Sequence, residues 1–283
     1  MLDDLETGQN FVRLNGVDLF YTDTGRDDAA TIIYLHDLGY NSYSFAEICG
    51  ELLSDYRVIY LDQRGCGRSS ELEANPELFT IDAMVDDLEA LRVHLGLRRF
   101  VPLGHGFGAL IGLEYARRFA GHIDRVIAVN PWVHFPELSR VLLDAASRLT
   151  ERSLSVSDDS EARAEAAFEL RSDLLSVLHF PNPASRLHLE FVDSESGLFG
   201  SGLVQEGLVF NQLWELEYPL YFSEIQTPVF VIAGIEDITS YPSQTDWLVD
   251  LLQSELYELE AGHYPWLEDT EVFVRAVVEA MES

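Results

Sequence analysis

The chain has 283 residues, a length that one α/β domain with an insertion accounts for, and 47% of them are hydrophobic, enough to bury a sizeable core. Its 18 basic residues are all arginines and stand against 49 acids, so the formal net charge is −31 and nucleic acid is excluded as a partner, because binding a phosphate backbone requires clustered positive charge. The apolar runs are too short to cross a membrane and the first residues are acidic instead of signal-like, which predicts a soluble, cytoplasmic protein.

The acidity bears on the source and the substrate of the protein, and the two cysteines bear on metal binding and disulfides. The negative charge fits either the well-solvated surface of a protein from a high-GC or salt-adapted source, or selection for a cationic substrate. Cys49 and Cys66 form neither a metal-binding pattern nor a disulfide framework, so we expect reduced thiols. No cofactor and no metal is expected, and the oligomeric state is left open.

In chain order, the first elements are strands. Residues 11–21 alternate apolar and polar side chains around Asn15-Gly16, which predicts a β-hairpin. Unbroken β-branched runs follow at residues 31–35, 57–61, 100–103, 125–129 and 228–233, as is typical of strands covered on both faces. Helical spacing fills residues 43–54, 81–95, 108–119 and 241–252. This alternation, with an eighth strand before Ala261, predicts an α/β fold: a mostly parallel eight-stranded sheet with helices on both faces.

One long segment breaks this rhythm. Residues 133–222 are polar and helix-prone and contain Pro181-Asn-Pro183 and several glycines. An insertion after the strand that ends at Val129 would lie over the carboxyl ends of the strands, where ligands bind in such folds. We therefore predict a helical lid at residues 133–222, between core segments 1–132 and 223–283, that is more mobile than the sheet.

The turn Gly104-His-Gly-Phe-Gly108 carries the first chemical signal. It follows a predicted strand and precedes a helix rich in small residues, which is the context of the nucleophile elbow G-x-S-x-G. The middle residue, which should be the serine nucleophile, is Gly106. Covalent acyl-enzyme chemistry at this position is therefore impossible.

Further candidates follow other predicted strands. His36-Asp-Leu-Gly39 stands where a backbone N–H of Leu38 would join that of Phe107 in an oxyanion hole. Asp237 and then His263 come after the last two strands, and the order elbow, acid, histidine is that of a Ser-His-Asp triad carried on a doubly wound sheet. Glu236 is the alternative acid, and Cys66 the alternative nucleophile.

These motifs, together with Asp62-Gln-Arg-Gly-Cys-Gly-Arg-Ser69, resemble the α/β-hydrolase superfamily over the whole chain. The last string is similar to the D-Q-R-G-x-G-x-S loop of the proline iminopeptidase branch. The chain departs from that branch in two places, since its H-G-G-P-G is His36-Asp-Leu-Gly-Tyr40 here and its elbow serine is Gly106. The resemblance thus implies the α/β-hydrolase fold, while the peptidase activity is not carried over.

Residues around the elbow complete the predicted site. We expect His36 and His105 to shape the pocket by hydrogen bonds, and Trp132 and Tyr264 either to line it or to pack in the core or lid. The resemblance implies that acids of the lid bind the amine of a substrate. Glu190 and Glu195 lie in a comparable stretch, with solvated surface as the other interpretation.

Three functional hypotheses follow. The first is a slow hydrolase of a small ester, amide or short peptide, in which His263 and Asp237 activate a water in the space of the missing serine side chain. The second is a pseudo-hydrolase that binds a small ligand under its lid without turnover. The third is an inactive variant engineered from serine to glycine.

Overall fold

An eight-stranded sheet organises the computed structural model, which describes residues 8–69, 75, 78–150, 159, 162–163, 166–167, 177–198 and 202–283. The spatial order of the strands is β1-β2-β4-β3-β5-β6-β7-β8. β1 and β2 form the antiparallel hairpin predicted around Asn15-Gly16, β2 pairs antiparallel with β4, and all other neighbours are parallel. The strands are β1 Gln9–Leu14, β2 Val17–Asp23, β3 Thr31–Leu35, β4 Arg57–Asp62, β5 Val101–His105, β6 Val126–Val129, β7 Val229–Gly234 and β8 Glu255–Leu259.

Helices cover both faces of this sheet, which confirms the predicted fold class. They are α1 Tyr43–Cys49, α2 Ile81–His94, α3 Phe107–Phe119, α4 Phe135–Thr150, α5 Pro183–Ser196, α6 Gly202–Phe210, α7 Pro219–Phe222, α8 Ser243–Leu252, α9 Pro265–Glu268 and α10 Thr270–Glu282. The apolar sides of α2, α3 and α8 pack on one face, and those of α1 and α10 on the other. Central strands are buried on both faces, so their sequences are continuous apolar runs instead of alternating ones.

The element boundaries differ from the predicted ones by a few residues. The helix expected over residues 43–54 ends at Cys49, because Gly50 follows and the chain turns before entering β4. α8 begins at Ser243 instead of residue 241, since Pro242 has no N–H to continue a helix and takes the N-cap position. β5 extends to His105, two residues beyond the prediction.

The segment between β6 and β7 is helical where the structure describes it. It carries α4 to α7, and α5 packs against α1 and α9. Residues 151–158 and several other parts of the predicted lid lie outside the described residues. Among the helices that are described, none is long and apolar enough to cross a membrane.

The carboxyl ends of the parallel strands bring the predicted site residues, and Asp37 with them, to one edge of the sheet. Asp37 follows β3, Gly106 follows β5 and Trp132 follows β6. Asp237 and His263 come shortly after the adjacent strands β7 and β8. Residues far apart in the sequence are thereby placed around one point.

Candidate active site

A sharp turn joins β5 to α3 at Gly106. This residue has φ +54° and ψ −113°, a conformation that strains any residue with a Cβ. A Cβ on Gly108 would overlap the backbone of Leu35, and one on Gly104 would overlap that of Gly108. Glycine at both flanking positions therefore allows the strand and the helix to pack closely.

The space in front of Gly106 is occupied by the carboxylate of Asp37. A Cβ built on Gly106 would lie 2.5 Å from Asp37 Cγ and nearer still to Oδ1. The N–H of Phe107, the predicted oxyanion donor, donates to Asp37 Oδ1 at 2.8 Å. A carboxylate of the protein therefore lies in the space where the sequence suggested a water, and it accepts from the Phe107 amide.

His263 connects Asp37 to Asp237. Its Nδ1–H donates to Asp237 Oδ2 at 2.7 Å, and its Nε2 lies 3.1 Å from Asp37 Oδ2. The N–H and hydroxyl of Thr239 donate to the other oxygen of Asp237 and hold that carboxylate in place. All three members of this Asp37–His263–Asp237 array are buried.

In the array, a positively charged His263 ring lies between the negatively charged carboxylates of Asp37 and Asp237. Burial alone would lower the pKa of His263, but the two carboxylates outweigh it and raise that pKa to about 10. Burial would likewise raise the pKa of both aspartates, but the hydrogen bond and charge of His263 hold them below their ordinary values. At neutral pH the array is thus a carboxylate, an imidazolium and a carboxylate.

Aromatic rings hold the His263 imidazole. Trp132 stacks on it with ring centroids 4.9 Å apart, and its indole N–H donates to Thr239 Oγ1. His179, from the predicted lid, also stacks on the ring at 4.6 Å, and its carbonyl accepts from the backbone N–H of His263. Tyr264 packs against Phe180 of the same segment. The segment 133–222 therefore contributes directly to the site through His179, a histidine that no sequence motif marks.

His36 and His105 each form hydrogen bonds near the array. His36 Nε2 accepts from the Gln63 N–H, and its Nδ1–H donates to the Asp37 carbonyl, so the ring joins the loops after β3 and β4. His105 Nε2 lies 2.7 Å from the His263 carbonyl. Burial lowers the pKa of His105 to about 3, and its ring is neutral.

The loop Asp62-Gln-Arg-Gly-Cys-Gly-Arg-Ser69 has a structural role. Asp62 accepts hydrogen bonds from the Ser42 N–H and hydroxyl and from Arg68. Arg64 forms a buried bidentate pair with Asp87. Cys66 is buried in the apolar core and burial raises the pKa of its thiol, so it lacks the thiolate that a nucleophile needs.

The remaining predicted residues lie outside the array. Glu236 is exposed to solvent, whereas its neighbour Asp237 holds His263. Glu190 is exposed on α5 and pairs with Arg186 one turn away, and Glu195 is exposed as well. The acid of this stretch that turns inward is Asp193, which accepts a hydrogen bond from the Tyr40 hydroxyl. Leu38 is partly buried beside Asp37.

Known proteins resemble this chain over nearly its whole length. Residues 30–270 match the model for the alpha/beta hydrolase fold. The structure of the proline iminopeptidase-related protein from Thermus thermophilus has a TM-score of 0.89 and 35% identity, covering 97% of this chain and 96% of that one. A proline iminopeptidase of Lactobacillus helveticus is 26% identical over 94% of this chain and 95% of its own. The enol-lactonase of Burkholderia xenovorans LB400, at 23% identity and a TM-score of 0.73, covers 97% of this chain and all 100% of its own, and shares the fold alone.

Proposed function

This chain belongs to the α/β-hydrolase family, in its proline iminopeptidase-related branch, and we propose that it is a hydrolase whose nucleophile is the Asp37 carboxylate. The position of Asp37 supports this proposal. One of its oxygens accepts from the Phe107 N–H, and the other faces His263 Nε2 at 3.1 Å. These two contacts suit a carboxylate nucleophile, because one oxygen is held by an N–H that can later stabilise an oxyanion and the other faces a histidine.

The chemistry of a carboxylate selects the substrate. Attack of a weakly basic carboxylate on an amide gives an intermediate that expels the carboxylate more readily than the nitrogen, so peptide hydrolysis is disfavoured. Displacement at a saturated carbon has no such intermediate, and it leaves an ester of Asp37. The departing oxygen lies on the side of the carbon away from Asp37, so the proton of His263 reaches it through a water. A small molecule with an electrophilic saturated carbon and an oxygen leaving group, such as an epoxide, fits this arrangement.

The second step regenerates the carboxylate. Esterification removes the charge of Asp37, and His263, having given up its proton, is then a neutral base. It takes a proton from water, which attacks the carbonyl carbon of the ester while Phe107 N–H stabilises the oxyanion at Oδ1. On collapse His263 gives this proton to the departing alkoxide, which leaves as an alcohol, and the new carboxylic acid of Asp37 then protonates His263. For an epoxide, one water is consumed and the product is a diol.

Isotope transfer tests this mechanism. The protein is incubated with p-nitrostyrene oxide in H₂¹⁸O for many turnovers and then digested. The mass of the peptide that contains Asp37 is measured by mass spectrometry. We expect ¹⁸O in Asp37 of the parent, and no turnover by the Asp37→Asn and His263→Gln variants. Glu236→Gln, an exposed acid next to Asp237, is the control and should retain turnover.

Two results would reject the proposal. Hydrolysis of p-nitrophenyl acetate at equal rates by the parent and Asp37→Asn would indicate the small-ester activity expected from the sequence, by another nucleophile. Absence of turnover on epoxides, esters and proline p-nitroanilide alike would favour the pseudo-hydrolase. That alternative has its own support, because Asp37 already occupies the oxyanion donor of Phe107.

A further inference from the structure

Two histidines and one carboxylate converge next to Gly106. One donor atom from each of Asp37, His105 and His263 lies within 4.8 Å of the other two. All three side chains are buried, with exposures of 4%, 1% and 0%. Two imidazoles and a carboxylate are a ligand set that borderline divalent cations such as Zn²⁺ prefer.

Each of the three has a partner for the atom that would not bind a metal. His263 Nδ1–H donates to Asp237, as metal-binding histidines commonly donate to a carboxylate. His105 Nε2 is 2.7 Å from the His263 carbonyl, which can only accept, so this nitrogen carries the proton. The second oxygen of Asp37 accepts from the Phe107 N–H. Outer contacts of this kind orient ligands and fix their tautomers.

The His105 ring has a nitrogen available for coordination. With the proton on Nε2, the lone pair is on Nδ1, and this atom is buried without a hydrogen-bond partner among the described residues. A buried lone pair without a partner is costly in a protein interior. A cation at this place would satisfy it.

We propose that Asp37, His105 and His263 form a binding site for a divalent cation of the zinc type. Bonds of about 2.0–2.1 Å place ligand atoms about 3.4 Å apart in a tetrahedral site, close to the 3.1 Å between Asp37 Oδ2 and His263 Nε2. The cation displaces the proton between Asp37 and His263, and that proton leaves to solvent.

Binding at this site inhibits the proposed hydrolase. The cation occupies the carboxylate oxygen that would attack the substrate and the imidazole nitrogen that would transfer the proton. The binding itself does not rest on the proposed function. It requires only the three ligands and is measured without a substrate.

Metal titration tests the site directly. Protein dialysed against a chelator is titrated with Zn²⁺ in competition with a chromophoric chelator, in excess Ca²⁺ and Mg²⁺ to saturate surface carboxylates. We expect one equivalent to bind, and Co²⁺ to give visible absorption bands of a low-coordinate nitrogen and oxygen site. His105→Gln should weaken binding by about 10-fold or more.

His188→Gln is the control. This histidine is exposed on α5 and is not one of the three ligands. It should bind Zn²⁺ like the parent. If His105→Gln does not fold, Asp237→Asn keeps all three ligands and should weaken binding by about 10- to 100-fold.

Three outcomes would overturn the site: displacement of Zn²⁺ by Ca²⁺, unchanged binding by both His105→Gln and Asp237→Asn, or equal loss in His105→Gln and His188→Gln. Zinc binding by a protein that hydrolyses nothing would reject the proposed function and leave the site standing. Epoxide turnover that persists with one equivalent of bound Zn²⁺ would overturn the inhibition.

Discussion

Asp37 Oδ2 and His263 Nε2 lie 3.1 Å apart although 226 residues separate them in the sequence. Asp237 holds the other nitrogen of the same ring at 2.7 Å. The imidazole therefore lies between two carboxylates, in a place where a serine enzyme has one carboxylate and one hydroxyl. This difference decides the charge of the histidine and much of the behaviour expected of the protein.

The first prediction concerns the charge of His263. In metal-free protein its pKa of about 10 keeps the ring protonated at neutral pH. Because the pKa in the folded state is above the ordinary 6.5, the ion pairs of His263 stabilise the folded state fully below pH 6.5. This stabilisation is lost as the pH rises through 10. The difference in unfolding free energy between the parent and His263→Gln should therefore shrink from neutral to alkaline pH.

Nuclear magnetic resonance of the ring protons measures the same charge directly. The parent should show an imidazolium at neutral pH, and Asp37→Asn should lower the pKa of His263 because one of the two carboxylates is removed. A neutral His263 in the parent at pH 7 would contradict this prediction.

The second prediction concerns acid. Burial lowers the pKa of His105 to about 3 and that of His179 to about 4, so both rings are neutral in the folded chain. A folded pKa below the unfolded 6.5 means that stability is complete above 6.5 and falls as pH drops towards these values. His179→Gln should reduce the loss of unfolding free energy between about pH 6.5 and 4, measured by urea unfolding at several pH values. His188 is an exposed histidine of α5, and His188→Gln should leave that loss unchanged.

The sequence predicted most of the fold, because its signals are local. Buried strands have β-branched runs, and Asp237 and His263 follow adjacent strands, so their placement at one edge follows from the parallel topology. The role of Asp37 could not be predicted in this way. It depends on the direction of a side chain in a loop and on the absence of a side chain at Gly106, and the only signal was the departure from H-G-G-P-G.

The orientation of Asp193 in the predicted lid could not be predicted from the sequence either. Glu190, Asp193 and Glu195 all lie on α5, and only the rotation of that helix decides which of them faces inward. The neighbouring buried residues Leu189 and Val192 set that rotation through their packing. A stretch with many acids gives no sign of this choice, because every face of the helix carries polar residues.

The third prediction concerns the hydrogen bond from the Tyr40 hydroxyl to Asp193, which joins the loop after β3 to α5. Burial raises the pKa of Asp193, whose Oδ1 has no partner among the described residues. Tyr40→Phe should lower the free energy of unfolding by about 1–3 kcal/mol, because it leaves the Asp193 acceptor without its hydrogen bond. Asp193→Leu in the Tyr40→Phe background should recover part of this loss in denaturant unfolding, and additive losses would show that the two residues do not interact.

The last prediction concerns Gly106→Ser. A serine at this turn adopts the positive φ of Gly106, a strain of about 1–3 kcal/mol, and its Cβ would overlap the Asp37 carboxylate. Gly197→Ser is the matched control, since φ there is +65° but nothing lies within 4 Å of an added Cβ. We expect Gly106→Ser to lower the melting temperature more than Gly197→Ser, because only the first displaces a buried ion pair.

Labelling by a fluorophosphonate probe distinguishes the role of position 106 from that of Asp37. While Asp37 occupies the Phe107 amide and His263 Nε2, a serine at 106 lacks both an oxyanion donor and a free base, so a fluorophosphonate probe should not label Gly106→Ser. The double variant Gly106→Ser, Asp37→Gly releases both groups and should be labelled at position 106, with labelling abolished by His263→Ala. Labelling of the single variant as fast as the double would show that Asp37 leaves the site readily, and would remove the basis for assigning it the nucleophile's place.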